Sequence, residues 1–403
     1  MKLFDATSHE PLTDTPWDEE RARRAIREIV ADAEVAFSLD SLWPNHPLDD
    51  FEEKSSPPQR SLYFGAAGML WALHELARTN AVELEADYSR VAAQLHDGYL
   101  IEPDDFGEEP APSYLLGESG ILLAAERWEP DAQRRDLILT KVRENEDSEV
   151  RELIWGSPGT MLVAQALLEA NGEERWVEAW RASADRLWAE WHPHEESGID
   201  LWTQHLYGKV RHMVGPMHGF AGNVFALWRG RELLSDDRRG ELEERAVATF
   251  HGLALRDDGL AQWLPMIEPP EVERPMRTQW CHGAPGMVAT GAGLARGDDD
   301  FTLLLVAGGE LTWRAGPLVK GPGLCHGTAG NGYAFLKLLD RTGDELWLDR
   351  SRRFAMHAIE QVERLRTEHG QGRYTLWTGD VGTALYLRSC LDADSAVPGY
   401  DLL

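Results

Sequence analysis

The sequence predicts an all-α ring, an α/α toroid of seven helical hairpins with about fourteen helices. Two observations carry that expectation. A Gly-x-x-Gly unit followed by an apolar run recurs seven times, with first glycines at Gly65, Gly117, Gly156, Gly219, Gly283, Gly327 and Gly379. Ahead of these units lie more charged, amphipathic patterns such as "ERWVEAWRASADRLWAEW" and "DELWLDRSRRFAMHAIEQVERL". Each unit then reads as an outer helix, a glycine loop and a buried inner helix.

The first outer pattern, "DEERARRAIREIVADAEVAF", is preceded by Thr15 as a capping residue, Pro16 at the first helical position and Asp18 in the first turn. Its partner, "FGAAGMLWALHEL", is apolar almost throughout, as a helix buried on most sides must be. "LGESGILLAAE" and "WGSPGTMLVAQALLEA" repeat the inner type. Wider gaps before Gly219 and Gly283 leave room for insertions. "GIDLWTQHLYGKVRHMVG" predicts a short hairpin with a Tyr-Gly turn, and "EPPEVERPMR" a proline-broken loop. Both belong on the motif face, as a substrate rim or as plain surface loops. The inner runs "HGAPGMVATGAGLA", "HGTAGNGYAFLKLL" and "TGDVGTALYLRSCL" complete the set. Neither end carries a polar capping repeat, which favours a closed ring over an open solenoid. The chain reads as one domain over 1–403, with a lead-in over 15–60 and the repeats over 61–388. Glycines let seven helix starts converge, and the helix dipoles gather positive potential there.

Lysine and arginine number 40 against 69 acids, a net charge of −29 over 403 residues. That balance argues against a nucleic-acid partner, which needs a basic face. A solvated, self-repelling surface or a salt-rich habitat produces the same acidity. No apolar stretch approaches the roughly 18 residues of a membrane span, and the N-terminus lacks a signal-peptide core. Three cysteines form no disulfide framework, so a cytoplasmic protein is expected.

"WCHGAPG" and "GLCHGTAG" set Cys281 with His282, and Cys325 with His326, in matching contexts one repeat apart. Adjacent repeats bring both loops to one end of the ring. Two thiols with imidazole suit zinc. The plain alternative is a pair of small core cysteines; Cys390, inside the last inner helix, reads as packing. Whether both histidines ligate stays open at this point. Four ligands close a structural site, whereas three leave a position where a thiol is held as thiolate.

Together the seven glycine units, "WCHGAPG", "GLCHGTAGNGYAFLKL" and "MHGFAGN" resemble the lanthionine synthetase C-like proteins, from about residue 60 to 388. These comprise the bacterial LanC cyclases and the eukaryotic LanC-like glutathione-handling proteins. The resemblance implies one Zn2+ held by Cys281, Cys325 and His326, with the fourth position open to a thiol. His282 is then not a ligand and has a supporting role. It also implies conjugate addition of a thiolate to dehydroalanine or dehydrobutyrine, giving a thioether, with His218 of "MHGFAG" as the acid/base. Ser113 stands where the cyclases carry an aspartate, as in the LanC-like branch. Lys320 matches a lysine of that branch five residues before the second zinc cysteine, and Arg373 matches its later arginine. Both are expected to anchor glutathione, and Lys320 is also expected to take part in catalysis beside the zinc thiolate. The branch's N-terminal arginine has no counterpart in "MKLFDATS".

The leading expectation is therefore a zinc-dependent enzyme adding glutathione or a peptide cysteine to a dehydroamino acid in a peptide or protein. A non-catalytic zinc scaffold that binds glutathione or peptide, and a lantibiotic peptide cyclase, are the alternatives. A glycan-processing α/α barrel, suggested by 16 tryptophans, leaves the Cys-His pairs unexplained.

Overall fold

The computed structural model describes residues 2–49, 57–104, 109–268 and 276–403. Among them, fourteen α-helices alternate between an outer and an inner layer. The first three hairpins are α1 (Glu19–Ala36) with α2 (Ala66–Arg78), α3 (Ser89–Ile101) with α4 (Glu118–Trp128), and α5 (Ala132–Glu144) with α6 (Ser157–Asn171). The next two are α7 (Glu174–Ala189) with α8 (Phe220–Arg229), and α9 (Asp236–Leu253) with α10 (Ala284–Gly291). The last are α11 (Asp299–Ala315) with α12 (Thr328–Thr342), and α13 (Leu346–His369) with α14 (Asp380–Asp392). Each even-numbered helix packs on the next, and α14 packs back on α2, so the inner layer closes. Helix α1 completes the outer layer against α13 and α14.

The two layers follow from the two patterns. Helix α1 buries Ala22, Ala25, Ile26, Ile29, Val30 and Ala33, a single stripe at helical spacing. Helix α2 buries every residue from Ala66 to Leu73, because it has neighbours on most sides. The N-terminus of α1 differs from expectation. Its cap is Asp18, whose carboxylate accepts from the Arg21 N–H. Thr15 instead donates its hydroxyl to Glu360, because the segment before α1 is a strap laid across α13.

Among the described residues, three small hairpins interrupt the all-α plan. Strands β1 (His192–Pro193) and β2 (Asp200–Leu201) pair, as do β3 (Gln204–Leu206) and β4 (Lys209–Arg211), all between α7 and α8. The β3–β4 turn is the expected Tyr-Gly, with Tyr207 at φ 51° and Gly208 at φ 69°. Between α9 and α10, β5 (Leu255–Asp257) pairs with β6 (Leu260–Gln262). It turns on Asp258 and Gly259, and the Asp-Gly dipeptide of "RDDGLAQ" is its sequence signal. Of "EPPEVERPMR", residues 269–275 lie outside the described residues.

The glycine loops cap the inner helices with their own backbone. The N–H groups of Ala66, Glu118, Phe220, Thr328 and Asp380 donate to the carbonyls of Gln59, Ala111, Met213, Gly321 and Arg373. These orphan donors are therefore committed within the loop and are not free for a ligand. The second glycine of each unit has a steric reason. A Cβ on Gly330 would stand 1.7 Å from the Leu324 carbonyl oxygen, and one on Gly286 1.8 Å from that of Trp280.

Beyond α14 the chain turns into the bore. Tyr400 stacks on Phe225 of α8 at 3.8 Å and meets Trp280 edge-on at 4.9 Å. Asp401 pairs with Lys337 of α12 at 2.8 Å, and the Leu403 carbonyl accepts from Arg127 at the end of α4. Because its partners sit on opposite sides of the ring, this tail fills the centre. Among the described residues, no helix is long and apolar enough to cross a membrane.

Candidate metal centre

The loops meet in a repeated register. Two residues before each first glycine stand Tyr63, Leu115, Ile154, Met217, Cys281, Cys325 and Trp377. Backbone N–H groups link neighbouring loops at this level. Tyr63 donates to Leu115 O (2.9 Å), Leu115 to Ile154 O (3.3 Å), and Leu153 to Met217 O (3.1 Å). Cys281 donates to Cys325 O (3.0 Å), Cys325 to Trp377 O (2.8 Å), and Trp377 to Tyr63 O (3.5 Å). At the remaining gap, Gly215 lies so close to the Cys281 carbonyl that a Cβ would stand 2.2 Å from its oxygen. The two cysteines thus occupy ordinary ring positions on adjacent loops.

That placement brings Cys281, Cys325 and His326 together, with one ligand atom from each lying within 4.8 Å of the others. Zinc bonds of about 2.0–2.3 Å set tetrahedral ligand atoms roughly 3.3–3.8 Å apart, so small adjustments seat one ion. Both thiols are buried and His326 is half-buried, so the set faces solvent on the imidazole side. Gln279 donates its amide to the Cys281 sulfur at 2.9 Å, and the Tyr63 hydroxyl hydrogen-bonds Cys325. Such donors stabilise thiolate charge without competing as ligands.

The thiols titrate as a pair. Burial opposes ionisation of Cys281, yet the Cys325 hydrogen bond and the neighbouring imidazoles of His282 and His326 outweigh it and bring its pKa well below the usual thiol value. Burial and the Cys281 charge then push Cys325 well above it. One proton leaves readily and the second is held until a cation replaces it.

His218 adjoins this set. Its ring stacks on His282 at 5.8 Å, and its Nδ1 bonds Glu152 Oε2 at 2.8 Å. Glu152 is wholly buried and also accepts from the Trp155 and Ile154 N–H groups. Burial disfavours the imidazolium, but the Glu152 bond and charge prevail, and His218 titrates above its ordinary value. His282 is the opposite case: burial, opposed by the Cys281 charge, holds it down to about 4. Its buried Nδ1 has no hydrogen-bond partner among the described residues.

The profile of the lanthionine synthetase C-like proteins matches residues 56–402. The chain belongs to the lanthionine synthetase C-like family. The LanC-like protein GCL1 of Arabidopsis thaliana is 39% identical over 134 residues, 31% of this chain and 30% of that one. The Glutathione S-transferase LANCL1 of Danio rerio is 30% identical over 192 residues, 47% of this chain and 44% of that one. The matched segments thus span less than half of either relative. Nisin cyclase shares the fold at a TM-score of 0.60 and 16% identity, over 92% of this chain and 94% of that one.

In this lanthionine synthetase C-like chain, Lys320 is exposed and its charge reaches both Cys325 and His282. Its segment is fixed by the N-terminal strap, where Glu10 N–H donates to Pro317 O and Val319 N–H to Ser8 O. Arg373, the second expected anchor, is buried, with Nε donating to Asp49 Oδ1 at 2.7 Å and Nη2 to Leu48 O at 3.0 Å, so the lead-in segment engages part of its guanidinium. Ser113 is buried with its hydroxyl unpartnered among the described residues.

Sequence reasoning missed Glu152, Tyr63, Gln279 and Arg277. The register could have found three of them, since Tyr63 shares the offset of Cys281 and Cys325, and Glu152 and Gln279 stand four residues before a first glycine, as Ser113 does. Arg277 is half-buried, and its charge bears on both His218 and His282.

Proposed function

We propose that this protein adds a thiol to dehydroalanine or dehydrobutyrine in a peptide or protein, forming a thioether, with glutathione as the preferred thiol. The observation that carries the reading is the convergence of a two-thiol, one-imidazole ligand set with an imidazole–carboxylate couple at one end of the ring. Cys281, Cys325 and His326 would hold zinc, which supplies Lewis acidity that keeps a substrate thiol ionised at neutral pH.

This chain's residues then divide the remaining work. Addition forms a bond from sulfur to the acceptor Cβ, moves the π electrons to Cα and the adjoining carbonyl, and requires a proton at Cα. Glu152 fixes the His218 ring through Nδ1 and leaves Nε2 as the nitrogen that takes up or delivers that proton. Neutral His282 stacks against one face of the His218 ring. Lys320 offers a local cation to an anionic thiol against the −29 background. Glutathione is favoured over a tethered peptide cysteine by that cation and by the name of the Danio rerio relative.

The test is to incubate the zinc-loaded protein with a dehydroalanine peptide and glutathione and to weigh the product. A mass gain of one glutathione, absent without protein, is expected. An unchanged peptide at catalytic protein concentration returns the scaffold reading.

A further inference from the structure

We infer that Tyr207, at the tip of the β3–β4 hairpin, is a specificity-determining residue that with Trp155 receives an apolar side chain flanking the reacting residue of the acceptor. The inference rests on the proposed addition to a peptide or protein.

The tyrosine is costly where it stands. A two-residue hairpin turn with both residues at positive φ is ordinarily built from Asn, Asp and Gly. Here Tyr207 takes the first position at φ 51°, a region that bulky side chains avoid. Burial does not compensate for the strain, since Tyr207 remains 71% exposed. Strain held without burial points to a contact made in another state of the molecule.

Its position says which contact. The ring stands edge-on to His218 at 6.4 Å, and the hydroxyl accepts from the Trp155 indole N–H at 3.2 Å. Trp155 occupies the ring position directly before a first glycine, the level at which His218, His282 and His326 stand on the next three loops. At that level Phe64 and Leu116 continue the apolar side beyond Trp155. The mouth is therefore divided into an imidazole sector over the metal ligands and an apolar sector, and Tyr207 overhangs their boundary. A small anionic thiol has no use for this sector, whereas a chain that presents a dehydroamino acid to His218 must lay a neighbouring residue across it. Two aromatic faces at that point select for Leu, Met or Phe over Gly or an acid.

The experiment separates this inference from the reading beneath it. Fluorescently labelled hexapeptides carrying alanine in place of dehydroalanine, flanked either by leucine or by glycine, are titrated into zinc-loaded wild type, Tyr207→Ala and Tyr207→Phe. Wild type is expected to bind the leucine peptide about tenfold tighter. Tyr207→Ala should collapse that ratio toward one, and Tyr207→Phe should retain most of it, since the apolar face carries the preference. Equal affinity for both peptides in wild type, or an unchanged ratio in Tyr207→Ala, overturns the inference. Because the probes cannot react, the leucine preference is measured even if the protein adds no thiol, and the dehydroalanine peptide with glutathione tests the activity separately.

Discussion

Replacing Glu152 by glutamine tests the imidazole–carboxylate couple with almost no change of shape. The carboxylate is wholly buried and accepts three hydrogen bonds, from His218 Nδ1 at 2.8 Å, Trp155 N–H at 2.6 Å and Ile154 N–H at 3.2 Å. A glutamine oxygen in the Oε2 place keeps His218 Nδ1 and the Ile154 N–H. Its NH2 group then faces the Trp155 N–H, donor against donor. Loss of the buried charged bond and one unsatisfied N–H should cost about 3 kcal/mol of stability. The electrostatic consequence is larger for function. Burial then acts on His218 with much less opposition, so its titration falls below the ordinary imidazole value rather than above it. Turnover of the dehydroalanine peptide should drop about 10²-fold with zinc retained. NMR titration of labelled histidine gives the pKa shift, and single-turnover mass measurement gives the rate. A His218 titration unchanged from wild type, with unchanged turnover, would refute the assignment of Glu152 as the group that orients His218.

Three further outcomes are expected. Cys281→Ala and Cys325→Ala should each lose bound zinc by elemental analysis while His282→Ala retains about one equivalent; parallel losses in all three would favour a closed four-ligand site. Lys320→Ala should weaken glutathione binding about tenfold with zinc intact, and the wild-type affinity should fall as salt rises. Equal affinities at both ionic strengths would remove Lys320 from the site. His46 is held down to about 4 by burial and by the charge of Arg373, with His369 adding to the effect. The unfolded chain protonates this imidazole near its ordinary 6.5, so the His46 contribution is complete above that pH and is lost as pH falls toward 4. Urea midpoints for His46→Gln should slope less than wild type across that window, and parallel curves would show that His46 carries none of the dependence.

The ring was legible in the sequence because its geometry forces repetition. Seven helix starts cannot converge unless Gly330 and its equivalents pass a carbonyl without a Cβ, and that demand leaves glycine at fixed offsets. The cluster of Cys281, Cys325 and His326 was legible for the same reason, since Cys281 and Cys325 share one offset on adjacent loops. Glu152 was not, because a single carboxylate in "ELIWGSPG" looks like surface until a distant loop brings His218 onto it. The Arg373–Asp49 pair was hidden for the converse reason: Asp49 lies 324 residues earlier, and no local pattern announces the contact. Tyr207 was legible as a turn residue but not as a wall of the mouth, since only the closed ring sets Trp155 beside it.

The C-terminal tail has a consequence for traffic. With Tyr400 wedged between Phe225 and Trp280, and Asp401 tied to Lys337, the toroid is a cup with a floor rather than a tube. Anything that reaches the level of Cys281 must come and go through the same mouth. An extended chain cannot thread through and be worked on as it passes. Under the proposed addition, a polypeptide acceptor with several reactive residues has to dip a loop or an end into the cup, withdraw it, and offer the next one afresh. Each modification would then be a separate visit, ordered by which segment of the guest bends most readily into a closed vessel.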